Sequence, residues 1–173
     1  MIEIVSSKQV FSGRAFSIRV DQVSVNGGPP MQWEVLEHTG GVAMVPIDEE
    51  GNVLMVRQYR HSVASELLEL PAGTVHKGED YAGCAGRELQ EEVGMAATKL
   101  ELIGEFFLAP GYSSELMRVY IATGLTPASL PQDEDEDIRV ERVPIEDAVQ
   151  MAVNGEIRDA KSVAGLLLAA QRR

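Results

Sequence analysis

At Asp80 the apolar pattern of the chain changes from a period of two to one of about 3.6, and this switch limits what it can fold into. Upstream, Phe16 to Val25 sets Phe16, Ile18 and Val20 against Ser17, Arg19 and Asp21, the alternation of a half-buried strand. Asn26-Gly27-Gly28 supplies a hairpin turn, because Asn and Gly tolerate positive φ, and Met31 to Glu37 reads as the returning strand. Gly41 to Ile47 and Val53 to Tyr59 flank a second turn signal, Asp48-Glu49-Glu50-Gly51-Asn52. Leu67 to Leu70 is a short apolar run stopped by Pro71-Ala72-Gly73. From Asp80, a side chain suited to capping free N–H groups, Ala82, Ala85, Leu89 and Val93 recur at helical spacing until Gly94 closes the helix. Gly83 and Gly86 inside this helix cost about 1 kcal/mol each relative to Ala, so tertiary contacts must hold it. Leu100 to Leu108, Leu116 to Thr123 and Ile138 to Val143 read as further strands; helices follow from Pro144 to Val153 and from Ala160 to Gln171. Strands first, one central helix, more strands and terminal helices predict an α+β fold arranged as an α/β/α sandwich.

At 173 residues the chain fits one domain, read here as residues 1–173, and can bury a core without disulfide or zinc. Its one cysteine excludes an intrachain disulfide and a cysteine-built zinc site; Cys84 reads as a small core residue. The net charge of −12 argues against nucleic acid and anionic membranes as partners, since both attract clustered cations. A phosphorylated substrate would need metal cations as mediators. Met1 to Lys8 lacks the basic start and apolar core of a signal peptide, and no run approaches the ~18 apolar residues that span a bilayer. A soluble, cytoplasmic protein is expected.

The helix carries the chemistry. Glu88, Glu91 and Glu92 lie three and four residues apart and so share one side of it, about a quarter-turn from the apolar side. Three such carboxylates repel, and hard oxygen donors relieve that repulsion best by sharing Mg²⁺ or a similar divalent ion. Arg87 can reach Glu91 at i+4 and orient it. A solvated helix laced with charge pairs carries the same pattern. It does not need the upstream Gly73, which closes a short strand, or Glu79, which precedes the cap.

From Gly73 to Met95 the segment resembles the Nudix box of the Nudix hydrolases at every specified position: Gly73, Glu79, Arg87-Glu88, an aliphatic Leu89, Glu91-Glu92, Gly94 and an aliphatic Met95. The order of strands and helices also fits that family's sandwich, with its mixed central sheet. Three further features resemble the ADP-ribose pyrophosphatase branch. Pro110-Gly111 lies sixteen residues beyond Gly94; Val56 to Arg60 precedes Leu68-Glu69-Leu70-Pro71-Ala72-Gly73; and Asp133 to Val140 is similar to its acidic catalytic loop.

The resemblance implies Mg²⁺-dependent hydrolysis of ADP-ribose to AMP and ribose 5-phosphate, with Mn²⁺ as a second candidate ion. It implies metal ligands at Glu88, Glu92, the backbone carbonyl of Ala72 and Glu136, with Glu91 a bridging ligand or the partner of Arg87. Glu134 is expected as general base, with Glu136 or Glu115 in reserve. Arg60 is the candidate phosphate contact, since its planar fork suits that group. Trp33 would stack on adenine with Glu34 beside it, and Phe16 of a second subunit would cover the other face of the base. A homodimer built through the strands of residues 1–38 is expected. GDP-mannose or another nucleoside diphosphate sugar is the alternative substrate, and a catalytically silent nucleotide sensor the alternative of another class. His38, His61 and His76 lack zinc-protease spacing, Gly111 to Glu115 is not a serine-hydrolase elbow, and no P-loop is present.

Overall fold

The computed structural model describes residues 1–131 and 137–172. Two compact units form, Met1–Gly40 with Phe107–Leu116 and Gly41–Phe106 with Met117–Arg173.

In the first unit, β1 (Ile2–Ser12), β2 (Ser17–Val25) and β3 (Met31–Glu37) make an antiparallel sheet in that order. Asn26 and Gly27 take φ of 55° and 74°, as the expected hairpin requires, and Gly28 N donates to Val25 O at 3.0 Å. Strand β1 escapes a reading by alternation because all its residues are exposed. The segment 107–116 is tied to β3, with Leu36 N donating to Tyr112 O at 2.8 Å and Ser114 N to Leu36 O at 3.0 Å.

The second unit holds the expected mixed sheet. Its order is β7 (Ala72–Thr74), β4 (Gly41–Pro46), β9 (Leu116–Pro127), β8 (Met95–Phe107), with β4 antiparallel to β7 and parallel to β9. A second sheet pairs β5 (Asn52–Arg60) with β6 (Ser65–Glu69) on one side and β10 (Arg139–Pro144) on the other. All six residues of β4 are buried, as a strand covered on both faces must be. Val42 and Met44, with Tyr120 and Ala122 of β9, pack on Cys84, Ala85 and Leu89. On the opposite face, Val45 and Val119 meet Gly165 of α3 (Ala160–Ala170). A Cβ on Gly165 would lie 2.6 Å from Leu70 Cδ1 and 3.2 Å from Val119 Cγ1, so glycine lets α3 sit this close. Helix α2 (Ile145–Val153) packs beside α3. Helices therefore cover both faces of the β4–β9 sheet, the sandwich that the element order predicts.

Several boundaries differ from expectation. Asp80 caps the central helix as predicted, its Oδ1 accepting Ala82 N at 3.0 Å and Gly83 N at 2.9 Å. That helix, α1 (Tyr81–Glu88), nevertheless ends at Glu88 and passes into a π turn over Leu89–Val93, which Gly94 closes at φ 72° by donating to Leu89 O. Such wide turns are uncommon and concentrate at functional sites. The packed side is corrected at two positions, since Ala82 is exposed and Val93 only half-buried; Ala85 and Leu89 are buried as expected, and Cys84 is the expected core residue. Strand β8 starts at Met95 rather than Leu100, because Gly94 turns the chain directly into the ladder.

Candidate active site

The site of interest in the second unit is the junction of β7 with the central helix. The helical spacing places Glu88, Glu91 and Glu92 beside the packed face; the structure instead buries two of them. Glu88 is 8% exposed, Glu92 is 3% exposed and Glu91 is half-buried. The cause is β7, which runs past this side of the helix. Ala72 N donates to Glu92 Oε2 at 2.9 Å. A Cβ on Gly73 would fall directly on the Glu88 carboxylate, so a glycine here is what lets that side chain lie against the strand.

Arg87 organises the carboxylates around it. Its Nε and Nη2 grip Glu79 at 2.9 and 3.1 Å, and its Nη1 lies 2.8 Å from Glu88 Oε1 and 2.6 Å from Glu91 Oε2. The i+4 pairing with Glu91 expected from the spacing is therefore present. The main partner, however, is Glu79, eight residues upstream, which a helical spacing argument cannot reach. The Arg87 guanidinium, helped by a bond from His76 N at 3.0 Å, holds the Glu79 carboxyl down at about 2. Arg87 is in turn pushed above the usual arginine range, first by its bond to Glu79. Burial raises the Cys84 thiol to about 12, in keeping with an inert core residue.

Arg60, expected to meet phosphate, donates from Nε and Nη2 to Glu69 at 2.9 and 2.7 Å. Among the described residues, no three His, Cys, Asp or Glu side chains converge to hold a metal ion. Glu134 and Glu136, the expected base and metal ligand, lie outside the described residues. The donors that are described at this junction, buried carboxylates beside strand backbone, are the hard oxygens that Mg²⁺ takes, and the Gly73 cradle keeps Glu88 there.

The first unit holds the other expected residues. Trp33 (42% exposed) and Glu34 line a cavity of about 600 Å³ with Gln32, Val35 and the Pro110–Ser114 loop. Gln32 Nε2 donates to Glu34 Oε1 at 2.7 Å, and Glu115 Oε1 lies 3.9 Å from His38 Nδ1. Phe16 lines a separate cleft of about 330 Å³ and packs on Phe11 at 5.8 Å between ring centres.

The central helix thus ends in a wide turn on a mixed sheet, with one of its carboxylates cradled by a glycine of β7. The NUDIX domain family model matches residues 37–166, and the chain belongs to the Nudix family. It is 41% identical over 168 residues to an ADP-ribose pyrophosphatase of Mycobacterium tuberculosis (strain ATCC 25618 / H37Rv), covering 95% of this chain and 81% of that one. It is 35% identical over 160 residues to an ADP-ribose pyrophosphatase of Bacillus subtilis (strain 168), covering 91% and 86%. A solved crystal structure of an ADP compounds hydrolase superposes with a TM-score of 0.87 at 27% identity, over 99% of this chain and 93% of that one.

Proposed function

We propose that this chain is a Nudix pyrophosphohydrolase that cleaves ADP-ribose to AMP and ribose 5-phosphate. The observation that carries the reading is the placement of Glu88 and Glu92 against Ala72 and Gly73, which gathers hard oxygen donors of the helix and the strand backbone on one side, the donor type a divalent ion takes. Similarity to ADP-ribose pyrophosphatases over more than nine-tenths of the chain supports the substrate. Glu88, Glu92 and the Ala72 carbonyl, with Glu136, hold Mg²⁺ or Mn²⁺. Bound there, such an ion supplies positive charge against the diphosphate and acidifies water. Arg87 keeps Glu88 and Glu91 from repelling one another, and Arg60 takes a phosphate oxygen. Glu134 removes the proton from the attacking water, with Glu136 or Glu115 as the substitute. For the nucleobase, the first unit offers the exposed face of Trp33 with Glu34 beside it. Chromatography of the products from ADP-ribose, with and without Mg²⁺, tests the reading. AMP and ribose 5-phosphate formed only with the metal are expected. Faster turnover of GDP-mannose would replace the substrate, and no turnover of any nucleoside diphosphate sugar would leave the silent sensor.

The protein acts as a cytoplasmic homodimer in this reading. No helix of the described residues is long and apolar enough to cross a membrane. Ile2, Ile4, Val5, Val10 and Phe11 of β1 are all about half or more exposed, apolar side chains that a second copy would cover. Sedimentation equilibrium should return twice the 18.8 kDa chain mass; a monomer at micromolar concentration refutes the dimer.

A further inference from the structure

Glu69 stands at the end of β6, 1% exposed, with two cations on it. Arg60 takes it with Nε and Nη2, and Lys161 Nζ reaches it at 2.5 Å from the first turn of α3. Lys161 has a side chain only 9% exposed, and it also lies 3.0 Å from Asp159 Oδ2. Asp159 caps α3 by accepting Ser162 N at 2.9 Å, and Leu70 N donates to Ser162 Oγ at 2.7 Å. The first turn of α3 is thus fastened to both Glu69 and Leu70, the residues that lead into Pro71-Ala72 and the Glu92 contact.

The bidentate bond fixes the Arg60 guanidinium relative to the Glu69 carboxylate, so whatever holds the carboxylate also aims the arginine. Lys161 shares Oε2 of that carboxylate with Arg60 Nη2 and so ties the pair to the first turn of α3. Arg60 is the member of the cluster that reaches the surface, its side chain 38% exposed, and Nη1 is the nitrogen that its two bonds to Glu69 leave over. Burial pushes Glu69 upward, yet Arg60 and Lys161 together hold it below the usual carboxylate range, so it keeps its charge between them. We propose that Lys161 is a positioning residue for the pyrophosphatase reaction: by sharing Glu69 with Arg60, it orients the Arg60 guanidinium toward a substrate phosphate. This rests on the reading of Arg60 and of the reaction given above.

The test is a double-mutant cycle in the full chain. Lys161→Met should raise KM for ADP-ribose about tenfold, the scale of one charged hydrogen bond, with kcat changed less than about threefold. In an Arg60→Ala background the same change should leave KM where Arg60→Ala put it, because Lys161 acts only through Arg60. A KM increase of equal size in both backgrounds, an unchanged KM, or a loss confined to kcat would overturn the proposal. Circular dichroism checks folding, and Lys161→Gln carries the cycle if Lys161→Met does not fold. Wild-type turnover tests the functional reading separately. If GDP-mannose is the better substrate, the cycle is run on it. If no sugar is turned over, calorimetric Kd values for ADP with Mg²⁺ replace KM and are read in the same way.

Discussion

Gly73→Ala isolates the packing of one carboxylate. The backbone of Gly73 does not require positive φ, so alanine is unstrained there, but its Cβ would occupy the position of the Glu88 carboxylate. The obstacle is the tip of a flexible side chain, and Glu88 escapes by swinging away. Doing so forfeits its 2.8 Å contact with Arg87, worth roughly 1.5–3 kcal/mol for a hydrogen bond between charged groups. Removing a glycine from a strand returns about 0.5–1 kcal/mol. The net loss is about 1–2 kcal/mol, or a melting temperature lowered by some 2–8 °C for a domain of this size. Turnover should fall much further, about 10²-fold or more, because a displaced Glu88 no longer meets the cation. Gly86→Ala is the control. Nothing lies within 4 Å of its added Cβ, and in a helix the change should stabilise by up to about 1 kcal/mol with activity retained. Thermal melts and steady-state rates on ADP-ribose decide the matter. Wild-type turnover in Gly73→Ala would refute the claim that Glu88 must lie against β7 to work.

Glu92→Gln removes a charge while keeping the volume and an oxygen for Ala72 N, so kcat should fall at least about 10²-fold with little change in melting temperature. Near-normal turnover would remove Glu92 from the ligand set. Glu79 is ionised down to about 2 in the folded chain, against 4.5 ordinarily. Its bond to Arg87 therefore stabilises the fold above pH 4.5, and this contribution fades as pH falls toward 2. Glu79→Gln should be less stable than wild type at pH 7, with the gap closing across that acid window in urea titrations. A gap independent of pH would show that the pairing is not what Glu79 contributes.

Much of this molecule was legible without coordinates, and the reason is local. The strands on either side of the Asn26-Gly27 turn, the turn itself, the Asp80 cap and the αL residue at Gly94 each depend on a few neighbouring residues, so local pattern alone exposes them. The same holds for Arg87 with Glu91, four apart on one helix. The box from Gly73 to Met95 carries its own spacing, and with it the family.

What needed the folded chain are the relations between distant segments. Helical spacing puts Glu88 and Glu92 at a wet margin, but only the approach of β7 shows that both are buried, with Gly73 shaped around one and Ala72 bonded to the other. Spacing also does not announce the π turn over Leu89–Val93, because the apolar positions recur there as they do in an ordinary helix. Nothing near Arg60 in sequence foretells that Lys161 will share its carboxylate partner from α3. Short-range order follows from backbone preference and side-chain pattern, which the chain carries residue by residue. The pairing of charges across ninety-two positions exists only once burial has brought β6 and α3 together.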